Sequence, residues 1–285
     1  MKVIIPTAGY GTRFLPFSKV LPKEFWPLAD KPILHYIAQE AISAGIKELI
    51  FVSKPGKNNF LSYFKKDKKL EKLLIERKKI KALKEVRETD NLFKGILFSN
   101  VLQKKPLGDG HAILMAKKLA KKQACAVMFC DDIVISKKPC IEQLLKVFEK
   151  YKSPVIALHR LPKEKISAYG VAKVKKIGKN LYEIKEIEEK PISPSSNFAI
   201  TGKYIITPKV FDFLEKFPLK GEIKLTEAFN QMIKKGHRVL GYEYEGTWLE
   251  CGNKINYLKS NIYLSLEHSQ LGPELRRMWR NWNTR

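Results

Sequence analysis

Neither of the two common phosphate-binding signatures occurs in this 285-residue sequence. After the apolar Val3-Ile4-Ile5, Gly9 and Gly11 keep the spacing of a dinucleotide fingerprint, but Phe14 stands where the third glycine belongs. No G-x-x-x-x-G-K-[ST] is present either. A nicotinamide oxidoreductase is therefore disfavoured. Cysteine is scarce: Cys125, Cys130, Cys140 and Cys251 form no C-x-x-C pair, which argues against a zinc ribbon or a disulfide framework and for reduced thiols in the cytoplasm. No apolar run approaches the ~20 residues needed to cross a bilayer. Met1–Pro6 leads too quickly into the glycine loop to act as a signal peptide, so no membrane partner is expected. Arginine is scarce too. Lys and Arg together number 54 against 29 acidic residues, for a net charge of +25, yet nine are Arg and four of those close the chain. Base readout favours Arg. Lysine spread along the whole chain reads as a solvated surface whose field would favour anionic small molecules rather than a specific nucleic acid.

The pattern that is present alternates strands and helices. Val3–Ile5 reads as a buried strand, and Leu34, Ile37, Ala38, Ala41 and Ile42 recur at helical spacing up to a stop at Gly45. Ile46–Val52 is the next strand, which implies parallel pairing through a right-handed crossover. An exposed helix is expected over Lys65–Arg87, another over Gly108–Lys122, and a strand over Ala124–Phe129 ending at Asp131-Asp132. Further on, Val155–His159 reads as a strand and Tyr169–Glu188 as a hairpin turning at Gly178-Lys179-Asn180. A strand over Ile200–Ile206 leads to Thr207-Pro208 as N-cap and N1 of a helix over Lys209–Phe217. Helices are also expected over Leu225–Lys235 and from Asn253 to about His268. With no repeats and no linker, residues 1–285 are expected to form one domain. Its nucleotide-binding half would be 1–135, its sugar-phosphate half 136–260, and its C-terminal helix and basic tail 261–285.

The stretch "GYGTRFLPFSKVLPKEFWPLADKP", Gly9–Pro32, can bring backbone N–H groups onto phosphate oxygens, with Arg13 as a planar fork and Lys23 as a point charge. Pro16, Pro22 and Pro27 stiffen the connection that carries the lysine. The stretch resembles the signature of the sugar-phosphate nucleotidyltransferases, and within them the branch that joins UTP to glucose 1-phosphate. "VLQKKPLGDGHAI", "FCDDI", "AYGV", "EEKP", "SNFAITGKYI", "EIKLTEA" and "WLECGNK" follow in family order to about residue 260.

That resemblance implies a Rossmann-like three-layer α/β/α fold with a mixed, mainly parallel central sheet and an added β-hairpin region beside the sugar. It implies attack of glucose 1-phosphate on the α-phosphorus of UTP, giving UDP-glucose and pyrophosphate, with Mg²⁺. By the same resemblance Ala8, Gly9, Gly11 and Thr12 meet the nucleotide, Arg13 grips the leaving phosphates, and Lys23 bridges them. Gln103 and Gly108 read the base. Asp131 holds the metal, with Glu250 as a second candidate ligand and Asp132 behind it. Gly170, Glu189, Lys190, Asn197 and Gly202 form the sugar-phosphate pocket, and His111 packs or caps. Asp109 departs from the family pattern, in which many relatives carry an apolar residue, as does Lys224, where relatives often carry Gln. A homo-oligomer, dimer or tetramer, is expected. The tail Arg276–Arg285 reads as a subunit interface or a disordered end, and base stacking on its Trp and Arg residues is the weaker reading. Thymidylyl transfer to the same sugar phosphate is the neighbouring alternative.

Overall fold

A computed structural model describes residues 1–56 and 60–283. The strands in chain order are β1 (Lys2–Pro6), β2 (Pro27–Leu28), β3 (Lys31–Pro32), β4 (Glu48–Ser53), β5 (Leu97–Leu102), β6 (Cys125–Met128) and β7 (Asp132–Ile135). They continue with β8 (Val155–Arg160), β9 (Gly170–Gly178), β10 (Leu181–Glu189), β11 (Phe198–Ile206), β12 (Leu240–Glu243) and β13 (Thr247–Glu250). Nine of them build one sheet in the order β5-β4-β1-β6-β11-β8-β12-β10-β9, so strands from both halves share it. Pairing is parallel from β5 through β6 and again between β8 and β12, and antiparallel elsewhere. Seven strands therefore run one way, with β10 and β11 opposed, as a mixed, mainly parallel sheet requires.

Apolar side chains explain the three layers. Val3 and Ile5 of β1 pack into one core while Ile4 packs into the other, so the strand is buried on both faces and reads as an unbroken apolar run. Leu34, Ile37, Ala38 and Ala41 of the helix Ile33–Ser43 are fully buried against the first face, beside the helix Cys140–Tyr151. Gly45 ends the former at φ +80°, where a side chain would be strained. The helices Gly108–Met115, Pro208–Leu214 and Leu225–Lys234 cover the second face. The hairpin of β9 and β10 turns at Gly178, as the glycine and asparagine there predict.

Four local expectations need correction. The exposed helix expected over Lys65–Arg87 is two helices, Lys68–Glu76 and Ile80–Leu92, because Lys78 adopts a left-handed φ of +52°. Gly108–Lys122 breaks at Ala116 into Gly108–Met115 and Lys117–Ala120, with Lys121 and Lys122 at positive φ. Thr207 stands at the N-cap and Pro208 at N1, but the threonine side chain makes no capping bond. The basic tail is helical over Gly272–Asn283, not a disordered end, and Thr284 and Arg285 lie outside the described residues.

Candidate active site

Phe14 explains why the glycine loop departs from a dinucleotide turn. It is buried, with its ring 4.7 Å edge-on to Trp26 and 6.2 Å from Tyr257, and so pins the loop to the core. Gly11 takes φ +63° ahead of the short turn Thr12–Phe14, and further turns over Phe17–Lys19 and Lys23–Phe25 bring Lys23 to the same cavity as Gly9. The lysine Nζ sits 2.7 Å from Asp131 Oδ2, at the carboxyl end of β6. Burial disfavours the charge on Lys23, but Asp131 and Glu24 more than offset it and its pKa is raised. Asp131 is likewise desolvated, yet Lys23 and Arg13 hold its carboxyl below the usual range. The two stay ionised together.

Two cavities meet at this pair. The first, about 530 Å³, is lined among others by Ala8, Gly9, Tyr10, Lys23, Gln103 and Gly108. The second, about 240 Å³, is lined among others by Arg13, Gly170, Glu189, Lys190, Gly202 and Glu250. Asp109, Phe129 and Asp131 line both. In the first cavity Gln103 Nε2 donates to Gly108 O at 2.9 Å and to His111 Nδ1 at 3.0 Å. Both amide hydrogens are thus committed, which leaves Oε1 as an acceptor. His111 packs here as a positioning group, and burial lowers its pKa. Gly108 has φ +91°, and a Cβ on it would come 2.5 Å from Ile223 O, so only glycine fits.

On the second cavity, Gly202 N donates to Asp132 Oδ2 at 3.0 Å, and Trp248 Nε1 donates to Asp132 Oδ1 at 2.7 Å. Burial, then the neighbouring Asp131 charge, pushes the Asp132 carboxyl up to about 7. Both its oxygens are engaged, so Asp132 stands at the cavity wall as a fixed group tying Gly202 to Trp248. Glu250 is held by Tyr169 Oη, which donates to its Oε2 at 2.6 Å, and by Asn256 Nδ2. A Cβ on Gly252 would stand 2.9 Å from Glu250 Oε1 and 3.5 Å from both Asp131 Oδ2 and Arg13 Nη1. Two carboxylate oxygens and the Arg13 guanidinium thus face the space beside Gly252. Among the described residues no group of three or more His, Cys, Asp or Glu converges as a metal cage. Two carboxylates with room between them fit a hard cation that takes its remaining ligands from phosphate and water.

Most of the predicted residues are brought together, and three are not. Asn197 lies off the cavities: its Oδ1 accepts from Arg160 Nη1 at 3.0 Å, and Arg160 also binds Glu243. Thr12 lines neither cavity. Gly11 also stands outside both, its carbonyl accepting from Ser18 Oγ at 2.8 Å as part of the loop's own structure. Arg13 lines the second cavity rather than the first and donates to Gly252 O at 3.3 Å. Sequence reasoning missed Tyr169, Trp248 and Asn256, whose partners lie far away in the chain. It also missed Glu24, which follows Lys23 within the Gly9–Pro32 stretch and whose pKa burial raises to about 7.

A sheet with a glycine loop and an acidic strand end at one mouth, and two joined cavities around a Lys–Asp pair, defines a phosphate-transfer site. Residues 2–265 match the family described as Nucleotidyl transferase, and the chain belongs to that family. More particularly, it is 35% identical over 278 residues to the UTP–glucose-1-phosphate uridylyltransferase of Bacillus subtilis (strain 168), covering 96% of this chain and 94% of that one. The UTP-bound UGPase from Acinetobacter baumannii superposes with a TM-score of 0.89 at 31% identity, covering 97% of each chain. A UDP-glucose pyrophosphorylase complexed with UDP-glucose superposes with a TM-score of 0.82 at 32% identity, covering 94% of this chain and 99% of that one.

Proposed function

We propose that this chain transfers the uridylyl group of UTP to glucose 1-phosphate, releasing pyrophosphate and giving UDP-glucose. The observation that carries the reading is the junction of a base-and-phosphate cavity with a sugar-sized cavity at Asp131, 2.7 Å from Lys23. The attacking phosphate oxygen is already anionic, so the site must supply alignment and charge neutralisation rather than a general base. Lys23 bridges the phosphates, and Arg13 adds charge from the second cavity. Ala8 and Gly9 let the nucleotide approach the backbone. Gln103 Oε1 accepts from the N3–H of an imide base, and Gly108 packs under the ring. Gly170, Glu189 and Lys190 receive the sugar and its phosphate, while Gly202 carries Asp132. Mg²⁺, held by Asp131 and Glu250, would neutralise phosphate charge when bound. A product screen over nucleoside triphosphates and sugar 1-phosphates tests the reading. UDP-glucose should be the main product; a main product of dTDP-glucose would move the chain to the thymidylyl branch.

The two halves act as one unit on this reading, since they share the sheet and both cavities are lined from both halves. All four cysteines are unpaired and buried, which fits the reducing cytoplasm. No helix among the described residues is long and apolar enough to cross a membrane. A homo-oligomer is supported by Leu258, Ile262, Met278, Trp279 and Trp282, all of them about half exposed or more on the helices Lys254–Glu267 and Gly272–Asn283. Sedimentation should find at least a dimer, and a monomer at assay concentration would contradict it.

A further inference from the structure

We propose that Asp109 is a specificity-determining residue of the acceptor site, its free carboxylate oxygen accepting a hydrogen bond from a ring hydroxyl of the sugar 1-phosphate. The inference rests on the nucleotidyl-transfer reading above and names which acceptor feature this chain recognises. Asp109 stands in the first turn of the helix Gly108–Met115 and lines both cavities. Its Oδ1 accepts from its neighbour Gly110 N at 2.6 Å and from Leu225 N at 3.0 Å. The second bond ties it to the first turn of the helix Leu225–Lys234 and holds the side chain in one orientation. Oδ2 makes no hydrogen bond among the described residues and is not among the buried side-chain atoms left without a partner.

The chemistry of the surroundings selects the occupant. A fixed carboxylate repels phosphate, so the group that meets it must be neutral and must donate. Both sugars of the reaction qualify, the ribose of the nucleotide and the hexose of the acceptor. The anchor favours the hexose. Leu225 adjoins Thr226, which lines the second cavity and not the first, as do Tyr204 and Glu189. Asp109 and Glu189 thus present two acidic side chains to one cavity of about 240 Å³, an arrangement suited to neighbouring hydroxyls on one ring. Polar groups that a ligand desolvates must be matched by the ligand in place of the displaced water, which is what makes them selective.

The test pairs Asp109→Asn and Asp109→Leu with glucose 1-phosphate and its 2-, 3-, 4- and 6-deoxy analogues. Asn keeps an acceptor for Gly110 and Leu225 but turns a donor to the cavity, so it preserves the scaffold while reversing the contact. Removing one charge-assisted hydrogen bond should raise the KM for glucose 1-phosphate about tenfold or more in both variants, with the KM for UTP nearly unchanged. One deoxy analogue should be penalised in the wild type and lose that penalty in Asp109→Asn. A purely structural residue would affect every analogue alike. If the variants instead change discrimination between UTP and 2′-deoxy-UTP, the carboxylate reads the ribose and the inference is overturned. Equal penalties for every analogue in wild type and variant overturn it as well. Absence of any nucleotide sugar from the wild-type enzyme would remove the underlying reading, a result distinct from either.

Discussion

Lys23 and Asp131 neutralise each other at 2.7 Å, and on the proposed reading each exchanges that partner for phosphate or metal when substrates bind. Lys23→Ala removes the nearest positive charge and leaves the desolvated Asp131 with only the more distant Arg13 to offset it. We expect kcat to fall roughly 10²–10³-fold in Lys23→Ala and in Asp131→Asn, the scale seen when one electrostatic transition-state group is lost. Steady-state kinetics with saturating Mg²⁺ checks this, and a near wild-type kcat in either variant would remove the pair from the mechanism. A second residue, His35, bears on stability. Burial, with Lys31 nearby, depresses its pKa to about 4 from 6.5, and its Nδ1 lies 2.9 Å from Tyr63 Oη. The folded state therefore lacks a proton that the unfolded state takes up between these values. Stability is full above pH 6.5 and declines as pH falls toward 4, by up to about 3 kcal/mol from this residue. Urea melts across that window should show a smaller decline in His35→Gln than in the wild type.

At the scale of elements, the short ribbon of β7 and β13 fixes the acidic side of the site. Glu250 pairs with Asp132 across it, and Cys251 N donates to Asp131 O at 2.6 Å, so three carboxylates are set by one piece of backbone. Tyr169, from the turn ahead of β9, reaches into this ribbon to hold Glu250. Tyr169→Phe should free Glu250 to rotate, raising the Mg²⁺ concentration needed for half-maximal rate several-fold while the fold melts within a few degrees of wild type; metal titrations of rate would reveal it. The sequence made the β1 loop and the β6 end legible because each motif carries its own backbone signals: glycines, prolines, and an apolar run stopping at acids. It left the Tyr169–Glu250 and Gln103–His111 contacts unread because a side-chain pairing has no local signature. The helix break at Lys78 escaped for a related reason: lysine seldom adopts a left-handed φ, and nothing in the residue type announces it. Asn197 is the opposite case, a position named by its motif that lines neither cavity. Its motif position implied a pocket, whereas Arg160 claims its amide.

For the whole molecule, a net charge of +25 carried mostly by lysine should gather anionic substrates toward the mouth where the cavities open. The value of kcat/KM for UTP should fall several-fold as ionic strength rises through the physiological range, because exposed charges are screened beyond about 8–10 Å there. A salt-independent kcat/KM would assign the charge no part in capture. On the proposed reading both substrates meet at one mouth because the nine-stranded sheet spans both halves, β1 and β6 leading to the phosphate side and β9–β11 to the sugar side. The most direct measurement of the central claim is product identification from the purified protein with Mg²⁺, UTP and glucose 1-phosphate, alongside Lys23→Ala. The account predicts UDP-glucose and pyrophosphate in equal amounts, nearly abolished in the variant. Release of pyrophosphate without any nucleotide sugar, or UDP-glucose formed equally well by Lys23→Ala, would contradict it.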